Sequence, residues 1–151
     1  MIARFFCLCA LLGGIPLPGL AADWHEVGTV MEPSITVYVD HDTLKVDHDV
    51  VVQGWVRYDY AQPQPEAGLP LSRQTARQMV NCESRRYWTT ERWGYPSSGG
   101  AQVPLPGTQE WQLAPPDSEA EMAVQALCAE TQSVFGWVWG VIRGALSLHN
   151  N

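Results

Sequence analysis

Arginines and aromatic rings crowd one stretch of this chain. Arg73, Arg77, Arg85, Arg86 and Arg92 are interleaved with Tyr87, Trp88, Trp93 and Tyr95. Those five arginines are most of the 8 Lys and Arg that follow residue 22. A guanidinium offers planar donors and a face that stacks, and Tyr and Trp offer rigid amphipathic area, so the mixture has the composition of a protein-interface hot spot. Arg77, Arg85, Arg86, Tyr87, Trp88, Arg92 and Trp93 are therefore the candidate ligand-binding residues. The plainer reading is a solvated strand face whose arginines pair with Glu83 and Glu91.

Two triplets suggest a different chemistry. Asp40-His41-Asp42 and Asp47-His48-Asp49 repeat one pattern, and across a hairpin His41 and His48 could approach with carboxylates nearby, a donor set suited to zinc or copper. The alternative is a polar hairpin loop, since Asp favours turns. Catalysis finds little support: the chain has no G-x-S-x-G, no H-E-x-x-H and no phosphate-binding glycine loop. Ser97-Ser98-Gly99-Gly100 is a turn rather than a nucleophile site. No cofactor and no enzymatic activity are expected.

Residues 1–22 have the form of a secretory signal peptide, with Arg4, an apolar run from Phe5 to Ile15 and small residues at Gly19, Ala21 and Ala22. Cleavage is expected just before Asp23 or one residue earlier. The apolar run is short for a membrane span and is followed by Pro16 and Pro18. Cys7 and Cys9 lie too early to be a lipidated cysteine at the cleavage point, so no lipoprotein anchor is expected. The exported chain would have about 129 residues, one domain's worth. All 16 acids lie in it, giving a net charge near −8 that argues against nucleic acid as partner. Its two cysteines, Cys82 and Cys128, are expected to pair in an oxidising compartment. A reactive thiol or half of a metal site are the competing readings.

These residues need elements to hold them. Trp24, Val27 and Val30 suggest a weak first strand; Ile35–Asp40 is a better one, with Ile35, Val37 and Val39 on one face. His41–Asp49 is expected as a turn. Val50–Tyr60 is the strongest strand, with Val50, Val52, Val56 and Tyr58 on one parity and Val51, Trp55, Arg57 and Asp59 on the other. Gly54 marks a bulge or a close neighbour. Ala61–Pro70, with Pro63, Pro65 and Gly68, is expected as a loop. Arg77–Trp88 is expected as one strand with Cys82 at its middle, running on through Trp93 with a bend. On that reading Val80, Cys82, Ser84, Arg86 and Trp88 share a side. Short strands at Ala101–Val103 and Trp111–Leu113 would flank a Pro104–Gly107 turn.

Ser118 and Glu121 fit a capping box that starts a helix, and Ala120, Val124, Leu127 and Cys128 then fall on one stripe. The expected fold is α+β: an antiparallel sheet with one C-terminal helix packed on a face and linked by disulfide to Cys82. Beyond it, Val134–Leu148 is apolar, with Gly136, Gly140 and Gly144 four residues apart and Trp137 and Trp139 between them. An interfacial membrane helix, a contact on a partner subunit and an extension outside the domain are the three readings of this tail.

Trp24, Tyr38-Val39-Asp40, Asn81-Cys82, Tyr95 before Gly99-Gly100, Trp111, Pro116-x-Ser118 and Cys128 resemble, in order and spacing, the surface-adhesin protein E family. The resemblance covers about Trp24 to Cys128. It implies about six antiparallel strands and a C-terminal helix tied to them by a disulfide. It also implies an outer-membrane adhesin of a Gram-negative pathogen that binds host matrix proteins such as vitronectin and laminin, uses a central stretch for that binding, and forms dimers. The expected organisation is a signal peptide (1–22), an adhesin E-like domain (23–128) and a hydrophobic tail (129–151). The chain is expected to be exported to the periplasm or cell surface. Its expected partner is a protein, with a homodimer and peripheral membrane contact through the tail as further expectations. The rival function is a periplasmic metal-handling protein using the Asp/His triplets.

Overall fold

The computed structural model describes residues 22–31, 34–47, 50–108 and 110–129, and alternation of β-branched and polar residues carries most of these into strands. The strands are β1 (Trp24–Val30), β2 (Ile35–Asp47), β3 (Val51–Glu66), β4 (Leu69–Asn81), β5 (Arg86–Pro96), β6 (Val103–Leu105) and β7 (Gln112–Leu113). A helix, α1, is described over 119–129. The strands form one antiparallel sheet in the order β1-β2-β3-β4-β5-β6, with β7 also paired to β5. This is the expected architecture, with the small β7 added to the six-stranded path.

One face of the sheet is the core. Ile35, Val37 and Val39 of β2, Val52, Val56 and Tyr58 of β3, and Ala76 and Val80 of β4 pack with Ala123, Val124 and Leu127 of α1. The parities expected for β2 and β3 are the observed ones. Gly54 interrupts the apolar row of β3 because Leu127 lies against it: a Cβ there would stand 2.9 Å from Leu127 Cδ2 and 2.8 Å from Leu44 Cδ2. Gly54 is thus a close approach, and it also stands opposite the irregularity of β2 between Asp40 and Lys45.

Four expected segments differ from the structure. β2 does not stop at Asp40 but runs to Asp47, because Lys45, Val46 and Asp47 pair with Gln53, Val52 and Val51 after a register shift, and Leu44 packs on the core. His41 therefore lies in a strand and not in a hairpin loop. The proline-rich stretch after Tyr60 is also strand: Pro65 pairs with Pro70 and Glu66 with Leu69 around a two-residue turn, with Ala67 at φ 52° and Gly68 at φ 76°. Two successive positive φ values match the right-handed twist of a hairpin, so two residues suffice where a longer loop was expected.

The third difference is the largest. Arg77–Trp88 is a hairpin and not a strand. β4 ends at Asn81, whose Oδ1 accepts hydrogen bonds from Ser84 N (2.8 Å) and Ser84 Oγ (3.0 Å), and Arg85 takes φ 54°. The short Asn side chain stands in for a backbone turn partner, which closes residues 82–85 tightly. Cys82 opens this turn. Pairing of Val80 with Tyr87 and of Met79 with Trp88 then reverses the expected sides: Val80 faces the helix and Trp88 the opposite face. Likewise β6 and β7 pair with β5 rather than flanking a shared turn.

The helix start follows the capping box with one change. Ser118 Oγ accepts from Glu121 N at 3.1 Å, but the Glu121 carboxylate accepts from Asp117 N (2.8 Å), one residue before the cap. Glu121 also takes Arg85 Nη2 at 2.8 Å, joining α1 to the β4–β5 turn beside the disulfide between Cys82 and Cys128. Among the described residues no helix is long and apolar enough to cross a membrane. Residues 1–21 of the expected signal peptide and the tail from residue 130 lie outside the described residues.

Two stability outcomes follow from this packing. The disulfide closes 46 positions, for which the loop-entropy model gives about 4 kcal/mol. Reduction or Cys128→Ser is expected to lower the urea midpoint accordingly; an unmoved midpoint would remove the staple from the account. Burial raises the phenol pKa of Tyr58 and of Tyr60 above its ordinary value, and the nearby Glu66 carboxylate adds to the rise at Tyr60. Unfolded tyrosines ionise near about pH 10 while the folded ones keep their protons, so the stability they contribute is whole below that pH and declines above it. The urea midpoint is expected to fall as pH rises above about 10, less steeply in Tyr60→Phe; equal slopes would contradict it.

Candidate functional site

The helix covers one face of the sheet, and the opposite face carries the large polar and aromatic side chains. Direct cross-strand pairing joins Tyr38 to Arg57, Trp55 to Arg77, Arg57 to Thr75 and Thr75 to Trp93, while Arg73 pairs with Tyr95. Residues paired directly share a face, so these side chains form one surface. The Arg57 guanidinium lies 3.8 Å from the centre of the Tyr38 ring and 5.2 Å from that of Trp24. Its Nε is 3.4 Å from Asp59 Oδ1, which also takes Arg73 Nε at 2.6 Å. Arg57 Nε makes no hydrogen bond among the described residues, and its guanidinium lies over the two rings. A cation between aromatic faces keeps its orientation without losing its charge.

Beside this stack lies a groove of about 430 Å³, lined by Trp24, Trp55, Thr75, Trp93, Tyr95 and Gln102 among others. The aromatic residues are half-buried, with edges open to solvent. Trp93 is held by a hydrogen bond from Nε1 to Glu91 Oε1 (2.9 Å). Such a surface can take up flat or extended partners by stacking and by charge, and its rings lose little freedom on binding.

The structure divides the residues expected to act together. Arg77, Trp88 and Trp93 lie on this open face; Arg77 is within hydrogen-bond distance of the Gln53 amide (2.8 Å). Trp88 donates to Thr108 O (2.7 Å) and meets Trp111 edge-on at 6.1 Å between centroids, which fixes it at the β7 margin. Arg86 is exposed where β5 begins, opposite Asn81 and Leu113. Arg85 is in the turn, bonded to Glu121. Tyr87 and Arg92 are on the helix side. Arg92 reaches Glu66 Oε1 (2.8 Å), Gln74 Oε1 (2.8 Å) and Pro106 O (3.2 Å). With Tyr58, Tyr60, Gln78 and Tyr87 it lines a polar niche of about 270 Å³ beside the start of α1. There Gln78 Nε2 donates to the Tyr58 hydroxyl (2.9 Å), and Gln78 Oε1 is buried with no partner among the described residues; the niche has room for water to supply one.

The first metal triplet is also taken apart. Asp40 is buried and its Oδ1 accepts from the backbone N–H groups of Asp23 (3.1 Å) and Asp42 (3.2 Å). Asp42 and Asp47 are exposed, and His48 and Asp49 lie outside the described residues. The His41 ring stacks on that of His25, with centroids 4.0 Å apart and planes 8° from parallel.

Trp24, Tyr38, Trp55 and Arg57 were not among the expected site residues. Parity alone separates Trp55 and Arg57 from the core residues of β3. What brings Tyr38, Trp24 and Trp93 beside them is strand register, which no local pattern states.

Two crystal structures of Haemophilus influenzae protein E have this fold. One, a second crystal form, is 16% identical with a TM-score of 0.50, covering 70% of this chain and 88% of that one. The other, from non-typeable Haemophilus influenzae, is 14% identical with a TM-score of 0.50, covering 80% and 85%. No curated protein sequence matches the chain significantly. The model of the family described as surface-adhesin protein E matches residues 24–129, which span every strand of the sheet and the described helix; the chain belongs to the surface-adhesin protein E family.

Proposed function

We propose that this protein is an exported binding module of the bacterial cell envelope that holds a protein partner on the sheet face opposite its helix and performs no chemistry of its own. The observation that carries the reading is the surface built from Trp24, Tyr38, Arg57, Trp55, Trp93 and Tyr95. An arginine between two rings, next to an aromatic groove on an otherwise acidic chain, has the composition of an interface centre rather than of a solvated strand face. Membership of an adhesin family supports the same function, and host extracellular-matrix proteins are the partner class it suggests. Export by a signal peptide over residues 1–22, and display at the cell surface, belong to this proposal. So do a homodimer and a peripheral membrane contact through the tail.

The arginines and rings contribute unequally in this reading. Trp55 and Trp93 are the anchors, Arg77 supplies charge beside them, and Arg57 is held by its two rings as a fixed cation. Arg85, engaged with Glu121 at the helix, lies away from the contact.

Surface-immobilised vitronectin or laminin provides the test. The Trp55→Ala, Trp93→Ala double variant is expected to lose about tenfold or more in affinity, while Arg85→Ala stays within about twofold. Urea midpoints measured in parallel separate lost contact from lost fold. Full binding by a folded double variant would overturn the assignment of this face.

A further inference from the structure

We infer that Asp23, His25 and His41 form a binding site for a divalent transition-metal ion of the zinc class at the open edge of the sheet. The inference is independent of the binding reading above and uses none of its residues.

The three side chains come together through register. His25 pairs with Val39, and His41 N donates to Asp23 O at 3.1 Å, so Asp23 and His41 are direct neighbours and His25 and His41 diagonal ones. Asp23 and His25 are two residues apart in an extended chain, which puts them on one side. One ligand atom from each residue lies within 4.8 Å of the others. His25 Nε2 and Asp23 Oδ2 are already 2.9 Å apart. Zinc bonds imidazole nitrogen and carboxylate oxygen at about 2.0 to 2.2 Å, so two atoms on one ion are at most about 4.4 Å apart. Small side-chain rotations, chiefly unstacking of the two rings, bring all three donors onto an ion.

The backbone beneath the donors is held. Asp23 is tied to the neighbouring strand twice, by its carbonyl to His41 N and by its N–H to the buried Asp40 carboxylate (3.1 Å). Two of the three ligands thus sit on residues fixed against each other before any ion arrives, which is what a preorganised site needs. The imidazoles favour zinc-class ions over calcium or magnesium, which take all-oxygen sets. At an edge strand the remaining coordination positions face solvent, giving the three-protein-ligand pattern with an open position. Among the described residues the triplet motif of β2 thus contributes His41, whose partners are Asp23, just before β1, and His25 within it.

The test is zinc titration of the exported protein, stripped with chelator, followed by calorimetry and by native mass spectrometry. The expected result is one zinc per chain, with magnesium in excess failing to displace it. His25→Ala and His41→Ala are each expected to weaken binding at least about tenfold, and His48→Ala to leave it within about twofold. Circular dichroism checks the fold of each variant. No stoichiometric uptake, uptake that survives the His25→Ala, His41→Ala pair, or uptake lost on His48→Ala alone would each overturn the inference.

Discussion

Leu127 rests on the bare backbone of Gly54, and the contact fixes how α1 lies on the sheet. Any larger residue at position 54 would have to displace the side-chain ends of Leu127 and Leu44. Burying Val37, Val39, Val52, Val56 and Val80 beneath Val124 and Leu127 supplies the main driving force for this domain. The disulfide from Cys128 to the β4–β5 turn then ties that helix to the loop end of the hairpin. Every other feature is arranged around a sheet that has one face closed in this way.

A sheet covered on one side must make its other side soluble or use it. Here that side is neither plainly polar nor plainly apolar. Rings at Trp24, Tyr38, Trp55, Trp93 and Tyr95 alternate with Arg57, Arg73 and Arg77, and the charges are held by rings, by Asp59 and by Gln53. This arrangement keeps large apolar edges in water without a continuous greasy patch, and it is consistent with a surface meant to be covered by a partner.

Much of this was legible in the sequence, and the gaps have a common cause. Period-two alternation located β2 and β3 and their inner faces, and the Ser118/Glu121 pair with the stripe through Leu127 located the helix. The motif order that ends at Cys128 pointed to the family. What failed was register and reversal. Asn81 closing a four-residue turn on Ser84 looks, in sequence, like one more strand residue, so Arg77–Trp88 read as a single strand and its faces were reversed beyond the turn. The prolines at 63, 65 and 70 read as a loop, although a two-residue turn at Ala67-Gly68 pairs two of them across a hairpin. The candidate residues do not gather on one face for the same reason: a hairpin distributes them over both, with Arg92 and Tyr87 on the helix side and Arg77 and Trp93 on the other. Arg57 carried no signal of its own, since its rings come from β1 and β2.

The claim that most needs measurement is that the face opposite the helix is the contact surface. Covalent footprinting of the domain, free and bound to a matrix protein, reads this directly. The account predicts that labelling of Trp24, Trp55, Trp93 and Tyr95 falls on binding while Arg85 and Gln125, at the helix and its turn, label unchanged. Protection of the helix and the 82–85 turn, with the aromatic face still labelled, would contradict it.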